Sequence, residues 1–529
     1  MDRMEPGDRE RLATEYIKYL HKLATAQRNN SEITILALDK LCRLSFAKDE
    51  TLSDYGMGAH AKEFCREHLD SALAKVTNSA RGFDLFCGVV CAFDPKLVDM
   101  DAEVAAKRKI AAKAFANLIG TTGDDCQALQ ALGVLYALVL FHIYGGDPDA
   151  IVVLSDLEVF RERFDNKRDD GATTVFLVEI LLSLIARPSP LVRQISKHVF
   201  GKFAPHLSTE ALKLLTEPLF AEENLEGHRK IFATEGEMDM SDGDLNSEVD
   251  VLEMGEGDLA GSETEAGDGS NESESDEDAE EEEAGDAEAD AQQKAFEDDL
   301  AKLLKTHRPD QEDDTESEAG SDMTDTEMMA IDGQISAAFK GRKAALPPSK
   351  KDHKNAKESV IQFKNRILDL VNSYLECGAK RKEDGSRLVA KRSVLDALQL
   401  LPDLVHLAGR TTSKDLAKRV SSVLGDYKND SKKERGQWVE ESRGEGGDEN
   451  KSGALAALRR IHDNLGSQES HAFARTASTA CLTLAAALQA VGMLEDVKEL
   501  YEATKKEKGC KVQRSFFESW QHWCQSQKA

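Results

Sequence analysis

The 529-residue chain has little of what marks several protein classes, with 11 Pro, 9 Cys, 3 Trp and 6 % aromatic residues. Its 36 Gly and scattered prolines follow no Gly-X-Y period, which excludes a collagen-like fibre. Nine cysteines across this length exclude a disulfide-stapled miniprotein. Long hydrophobic runs are missing too. The longest, Leu132 to Ile143, is well short of the ~20 residues that a hydrocarbon core demands, so a membrane bundle is excluded and the chain is expected to be soluble, with no membrane partner. The first thirty residues hold no apolar leader core, so the thiols are expected to be reduced. Strict apolar–polar alternation is absent as well, and no sheet is predicted.

Charge is abundant and unevenly placed. Residues 1–234 hold 29 basic and 34 acidic side chains, 235–333 hold 4 and 38, and 334–529 hold 35 and 25. One 99-residue window therefore carries a net charge of −34, more than the −29 of the whole chain. That window is rich in Glu, Asp, Ser, Gly and Ala, and cannot bury enough apolar surface to offset chain entropy. It is predicted to be an acidic disordered segment between a helical-repeat domain (1–234) and a basic helical domain (334–529). Two short interruptions carry helical spacing. Phe296, Leu300, Leu303 and Leu304 share one face within a conditional helix near 291–306, and Met328, Ile331, Ile335 and Phe339 do so near 326–340.

Both flanks repeat apolar residues at spacings of three and four. Helices are predicted over about 8–26, 31–47, 59–77, 101–119, 125–143, 172–187, 190–204 and 209–221, then about 356–376, 387–408, 413–426, 452–464, 470–490, 493–507 and 511–526. The pair spanning Ala172 to Leu207 is the most telling. Its first helix is apolar on most sides and ends at Pro188, and its second opens Pro190-Leu-Val192-Arg193, as the second helix of a HEAT repeat does. Such pairs bury their faces only by stacking on neighbours. The expected fold is all-α, a HEAT/armadillo-like α-solenoid interrupted by the acidic segment.

No constellation in the chain points to catalysis. Cys87 and Cys91 sit one turn apart but lack further ligands, and are read as buried helical thiols; His522-Trp-Cys524 is equally alone, so no metal site and no cofactor is proposed. Phosphate-cradling and nucleophile-elbow motifs are missing. Gly446-Gly447-Asp448-Glu449 is read as flexible linker within a Gly-rich loop at 443–453, and Asp99 and Asp101 as helix-capping acids.

Basic clusters are the candidate binding residues. Lys340, Arg342, Lys343, Lys350, Lys351, Lys354 and Lys357 form a basic linker over 340–357, readable as a solvated linker, a nuclear-import signal or a polyanion contact. A secondary patch holds Lys380, Arg381, Lys382, Arg387, Lys391 and Arg392, and Lys432 and Lys433 follow. Few aromatics interleave, which favours phosphate contact over base stacking and hence weak sequence specificity. In the acidic window, Ser247, Ser262, Ser273, Ser275, Thr315 and Thr324 each have an acid three residues on, either a phosphorylation pattern or a product of composition.

The order of an acidic tract, Phe296-Glu-Asp-Asp-Leu-Ala-Lys-Leu-Leu304, Asp325-Thr-Glu-Met-Met-Ala-Ile-Asp332 leading to Ala338-Phe-Lys340, a Lys-rich link and Val360-Ile-Gln-Phe-Lys-Asn-Arg-Ile-Leu-Asp-Leu370 resembles the DNA polymerase V / Myb-binding protein 1A family, over roughly 290–376. Members of that family are longer, so the resemblance implies a C-terminal portion, a shortened protein or a divergent member. It further implies a nucleolar, DNA-binding protein of ribosomal RNA gene transcription and ribosome biogenesis. Its expected partners are rDNA or rRNA and transcription or ribosome-assembly proteins. The family name asserts polymerase activity, but no Asp-Thr-Asp-like motif or strand is present to hold metal-binding carboxylates, so no enzyme is expected. The leading expectation is a nucleolar helical-repeat scaffold. The alternative is an acidic histone chaperone or import adaptor, holding histones or other basic proteins through 235–333; a DNA polymerase comes last.

Overall fold

The computed structural model describes residues 6–26, 31–48, 57–79, 81–121, 126–165, 171–232, 350–378, 392–444, 446–465, 470–506 and 513–527. Among them the fold is all-α, with no strand, consistent with the helical-repeat class. The first half supplies α1 (Pro6–Ala26), α2 (Ser31–Phe46), α3 (Ala59–Thr77), α4 (Gly82–Ala92), α5 (Ala102–Ile119), α6 (Cys126–Gly145), α7 (Asp149–Asp165), α8 (Gly171–Ala186), α9 (Pro190–Phe203), α10 (Thr209–Thr216) and α11 (Leu225–Phe232). The second supplies α12 (Lys350–Cys377), α13 (Val394–Arg410), α14 (Lys414–Glu441), α15 (Gly447–Asn464), α16 (His471–Ala490), α17 (Leu494–Lys506) and α18 (Arg514–Ser526).

Local chemistry sets where these helices start. The Ser189 side chain accepts from Val192 N and Pro190 takes the first helical turn, so α9 begins where its sequence signals it. Ser208, Ser393 and Ser413 cap α10, α13 and α14 in the same way, and Asp101 caps α5 from 2.7 Å, the capping role expected of it. Asp99 instead pairs with Lys48 at 3.8 Å. The apolar stripe of α9 is fully used: Leu191, Val192, Ile195, Val199, Phe200 and Phe203 are buried, against α3, α6 and α8. Helix α6 is long and apolar enough to cross a membrane by length and composition, more so than its unbroken run suggested. It is a core helix here, with 72 % of its most apolar window buried among α5, α7 and α9.

Helices α7 and α11 lie outside the predicted ranges, α4 was expected only as the helical turn carrying Cys87 and Cys91, and α14 runs fifteen residues past its expected end at 426. Helix α4 is apolar nearly all round and buries Gly82, Phe86, Val89 and Val90 on one face. It begins at Gly82 because a Cβ there would stand 2.1 Å from Val76 O. The extension of α14 is charge-rich and is held by tertiary contacts of Tyr427, Glu434 and Trp438. The Gly-rich loop expected at 443–453 shrinks to one turn. Gly446 takes φ +82°, and a Cβ on Gly447 would stand 2.3 Å from Ser442 O, so these glycines permit a sharp joint into α15 rather than flexibility.

Among the described residues, those on either side of 233–349 belong to one compact unit. One hydrophobic core runs from Ile17 to Trp520 through both halves of this unit. The charge windows describe surfaces, whereas the apolar faces that decide packing continue from α11 into α12. The acidic segment and the helices expected near 291–306 and 326–340 lie outside the described residues.

Candidate functional site

Polar ties concentrate where α8–α11 meet α12 and α13. Glu223, in the turn before α11, accepts from Lys364 Nζ at 3.1 Å on one carboxylate oxygen, and from Thr412 N at 2.7 Å and Thr412 Oγ1 at 2.6 Å on the other. The Lys364 and Glu223 side chains are each only 4 % exposed. Burial pushes the Lys364 ammonium down, with Glu223 pulling against it; the Glu223 carboxyl is held below its ordinary value by the Thr412 hydrogen bonds, against the opposing effect of its own burial. Arg366 donates through Nη1 to the carbonyls of Ile185, Ala186 and Arg187 at 3.0, 3.2 and 3.1 Å, closing the C-terminus of α8.

The sequence-predicted cations fare differently. Lys340, Arg342 and Lys343, like Lys380, Arg381, Lys382, Arg387 and Lys391, lie outside the described residues, as do Ser247, Ser262, Ser273, Ser275, Thr315 and Thr324. Lys350 opens α12, and Lys351, Lys354 and Lys357 are exposed on its first two turns, so the basic stretch is helical from Lys350 onward. Lys354 stands 3.9 Å from Glu358. Lysines in the first turns oppose the positive end of the helix dipole, costing roughly 0.3–1 kcal/mol each at low salt.

Arg392 leaves the candidate list. It is 2 % exposed, with Nε donating to Tyr374 O at 2.9 Å and Nη2 donating to Leu375 O at 2.9 Å and Glu434 Oε1 at 2.6 Å. Its guanidinium also lies over the rings of Tyr374 and Tyr427, 5.3 and 5.7 Å from their centroids. Burial raises the Glu434 carboxyl, and Arg392 opposes that shift. This cation holds the end of α12 against α14 and is closed to nucleic acid.

Two basic groups extend beyond the residues that the sequence singled out, of which only Lys432 was named. On α14, Lys428, Lys432 and Arg435 fall at i, i+4 and i+7, with Lys432 and Arg435 exposed. On α5, Lys107, Arg108, Lys109 and Lys113 face a single acid, Glu103, in the first turn. None of these seven has an ion-pair partner among the described residues. The helical spacing was legible; net-charge windows averaged it away. Lys433, by contrast, pairs with Asp430 at 2.7 Å.

The cysteine reading holds in half. Cys87 is buried on α4, which pushes its thiol up to about 12, whereas Cys91 is exposed. Cys524 is half-buried. Among the described residues no three His, Cys, Asp or Glu side chains are placed to hold a metal ion.

A family model described as DNA polymerase phi matches residues 3–375, far beyond the 290–376 stretch that carried the resemblance. The chain is similar to the rDNA transcriptional regulator POL5 of Saccharomyces cerevisiae, at 28 % identity over 55 % of this chain and 30 % of that protein. It is similar to the rDNA transcriptional regulator pol5 of Schizosaccharomyces pombe at 30 % identity over 26 % of this chain and 16 % of that protein. With Myb-binding protein 1A of Homo sapiens it shares 33 % identity over 47 % of this chain and 17 % of that protein. The matched regions thus span less than a third of each relative. No solved structure matches.

Proposed function

A chain matched by the DNA polymerase phi model over residues 3–375 belongs to that family, and from this premise we propose a nuclear, mainly nucleolar, helical-repeat scaffold in rDNA transcription and ribosome biogenesis. It contacts rDNA or pre-ribosomal RNA through phosphates and regulatory proteins through its helical faces. The observation that carries the reading is the set of cations without an ion-pair partner among the described residues, Lys351 and Lys357 on α12, Lys428, Lys432 and Arg435 on α14, and the α5 group. The names of the relatives, rDNA transcriptional regulator and Myb-binding protein, support a regulatory rather than catalytic role.

Duplex DNA titrated with the full chain over 50–300 mM salt tests this. Each phosphate contact contributes about −0.9 to the log–log slope, so Lys351→Ala/Lys354→Ala/Lys357→Ala and Lys428→Ala/Lys432→Ala/Arg435→Ala should each flatten it by about 2 to 3 with helicity unchanged. Salt-insensitive binding, or binding that neither set alters, refutes the assignment.

A second reading rests on the 38 acidic against 4 basic residues of 235–333, the composition of a surface for histones or other basic proteins. Deleting 235–333 then abolishes capture of basic proteins, whereas a scaffold retains its folded-face contacts.

A further inference from the structure

Residues that recognise one another across the junction of the two sequence halves alternate in sign and in donor. The first half offers the Glu223 carboxylate and the carbonyl end of α8; the second offers Lys364, Thr412 and Arg366. In the opposite sense, Thr209 Oγ1 donates to Asp396 Oδ1 at 3.1 Å and Thr216 Oγ1 to Asp403 Oδ2 at 3.3 Å. Aromatic contacts seal the same junction, Phe232 on Phe363 at 5.3 Å and Phe220 beside His406 at 5.2 Å between ring centroids. Helices α9 and α12 approach so closely that a Cβ on Gly201 would stand 2.9 Å from Ser373 Oγ.

Two features distinguish this junction from an ordinary loop-tethered contact. Its buried charges are paired on both sides, so a wrong partner leaves Lys364 or Glu223 desolvated and alone, which is a source of specificity. The shared hydrophobic core supplies the affinity, because each half alone would expose the apolar face that the other covers. We propose that this junction is a self-sufficient interaction surface whose partner is the other half of the same chain, so that covalent continuity through 234–349 is not required once the unit has folded. A cut in that segment then leaves the helical unit standing, and cuts at both of its ends remove the acidic charge without dismantling the nucleic-acid-facing helices. This rests on the packing alone and stands whether or not the chain binds rDNA.

The test uses the full chain with protease recognition sequences inserted after Gly261 and after Ala319. Once a denaturing gel shows complete cleavage, the pieces 1–261 and 320–529 are expected to co-elute as one species at ~1 µM on a sizing column, with uncut helicity. Two separate peaks, or loss of helicity on cutting, overturn the proposal. Lys364→Met, in a chain whose uncut form keeps its helical spectrum, should weaken reassociation of the cut pieces about 10²- to 10³-fold by leaving the buried Glu223 carboxylate without its cation and held by Thr412. Lys418→Met, at a side chain 80 % exposed, should leave it unchanged. Equal affinities for the two variants would show that these contacts do not hold the halves, and would equally overturn the proposal.

Discussion

Replacing Arg392 with Met separates a buried structural role from the surface role that its basic neighbours suggest. The substitution removes the ion pair to Glu434 and the donors to Tyr374 O and Leu375 O, in a site where both charged side chains are at most 2 % exposed. Glu434 then keeps only Tyr427 Oη, at 3.3 Å, as donor. Breaking one partner of such a pair costs about 3–5 kcal/mol, a large share of the ~5–15 kcal/mol by which a folded domain exceeds its unfolded chain. The double variant Arg392→Met/Glu434→Met removes the orphaned carboxylate and should recover most of that loss, since apolar replacement of a buried pair is close to neutral. Urea titration followed by tryptophan fluorescence reads the change, because Trp438, whose Nε1 donates to Ala487 O at 2.8 Å, sits on α14 one turn from Glu434. A single-variant loss below about 1 kcal/mol, or weakened DNA binding at unchanged stability, would refute the buried-tie assignment.

Acid should loosen the C-terminal helices through His462. Its Nδ1 lies 2.8 Å from Thr504 Oγ1, its Nε2 is buried beside Tyr501 and Phe516 with no partner among the described residues, and burial pushes its pKa down to about 4. The folded state then binds fewer protons than the unfolded one between about pH 4 and 6.5, so stability is complete above 6.5 and falls as pH drops through that window. About 2 kcal/mol should be lost between pH 7.5 and 5, and His462→Phe should abolish that part of the dependence in a pH series of thermal melts. Gly447→Ala should destabilise the α14–α15 joint by about 1–3 kcal/mol, whereas Gly436→Ala, which meets nothing within 4 Å, should be neutral or mildly stabilising; paired urea midpoints check both. Leu135→Ala in the core of α6 should cost about 2–5 kcal/mol while preserving the helical circular dichroism spectrum at neutral pH.

Sequence by itself determined the fold class, most helix positions and the Asp101 cap, because 3.6-residue periodicity and an aspartate one position before a helix are local properties of a chain. Its motif order pointed to the family. Tertiary structure alone decided which cations are available. Arg392 and Lys432 look alike in a charge window, yet one is sealed between Tyr374, Tyr427 and Glu434 while the other stands in solvent. It also decided that the halves on either side of the acidic segment are one unit. Composition could not show this, because Glu223 and Lys364 lie 141 residues apart and their pairing depends on apolar faces meeting across that separation. Local pattern records what each helix prefers to bury; only the assembled core says against what.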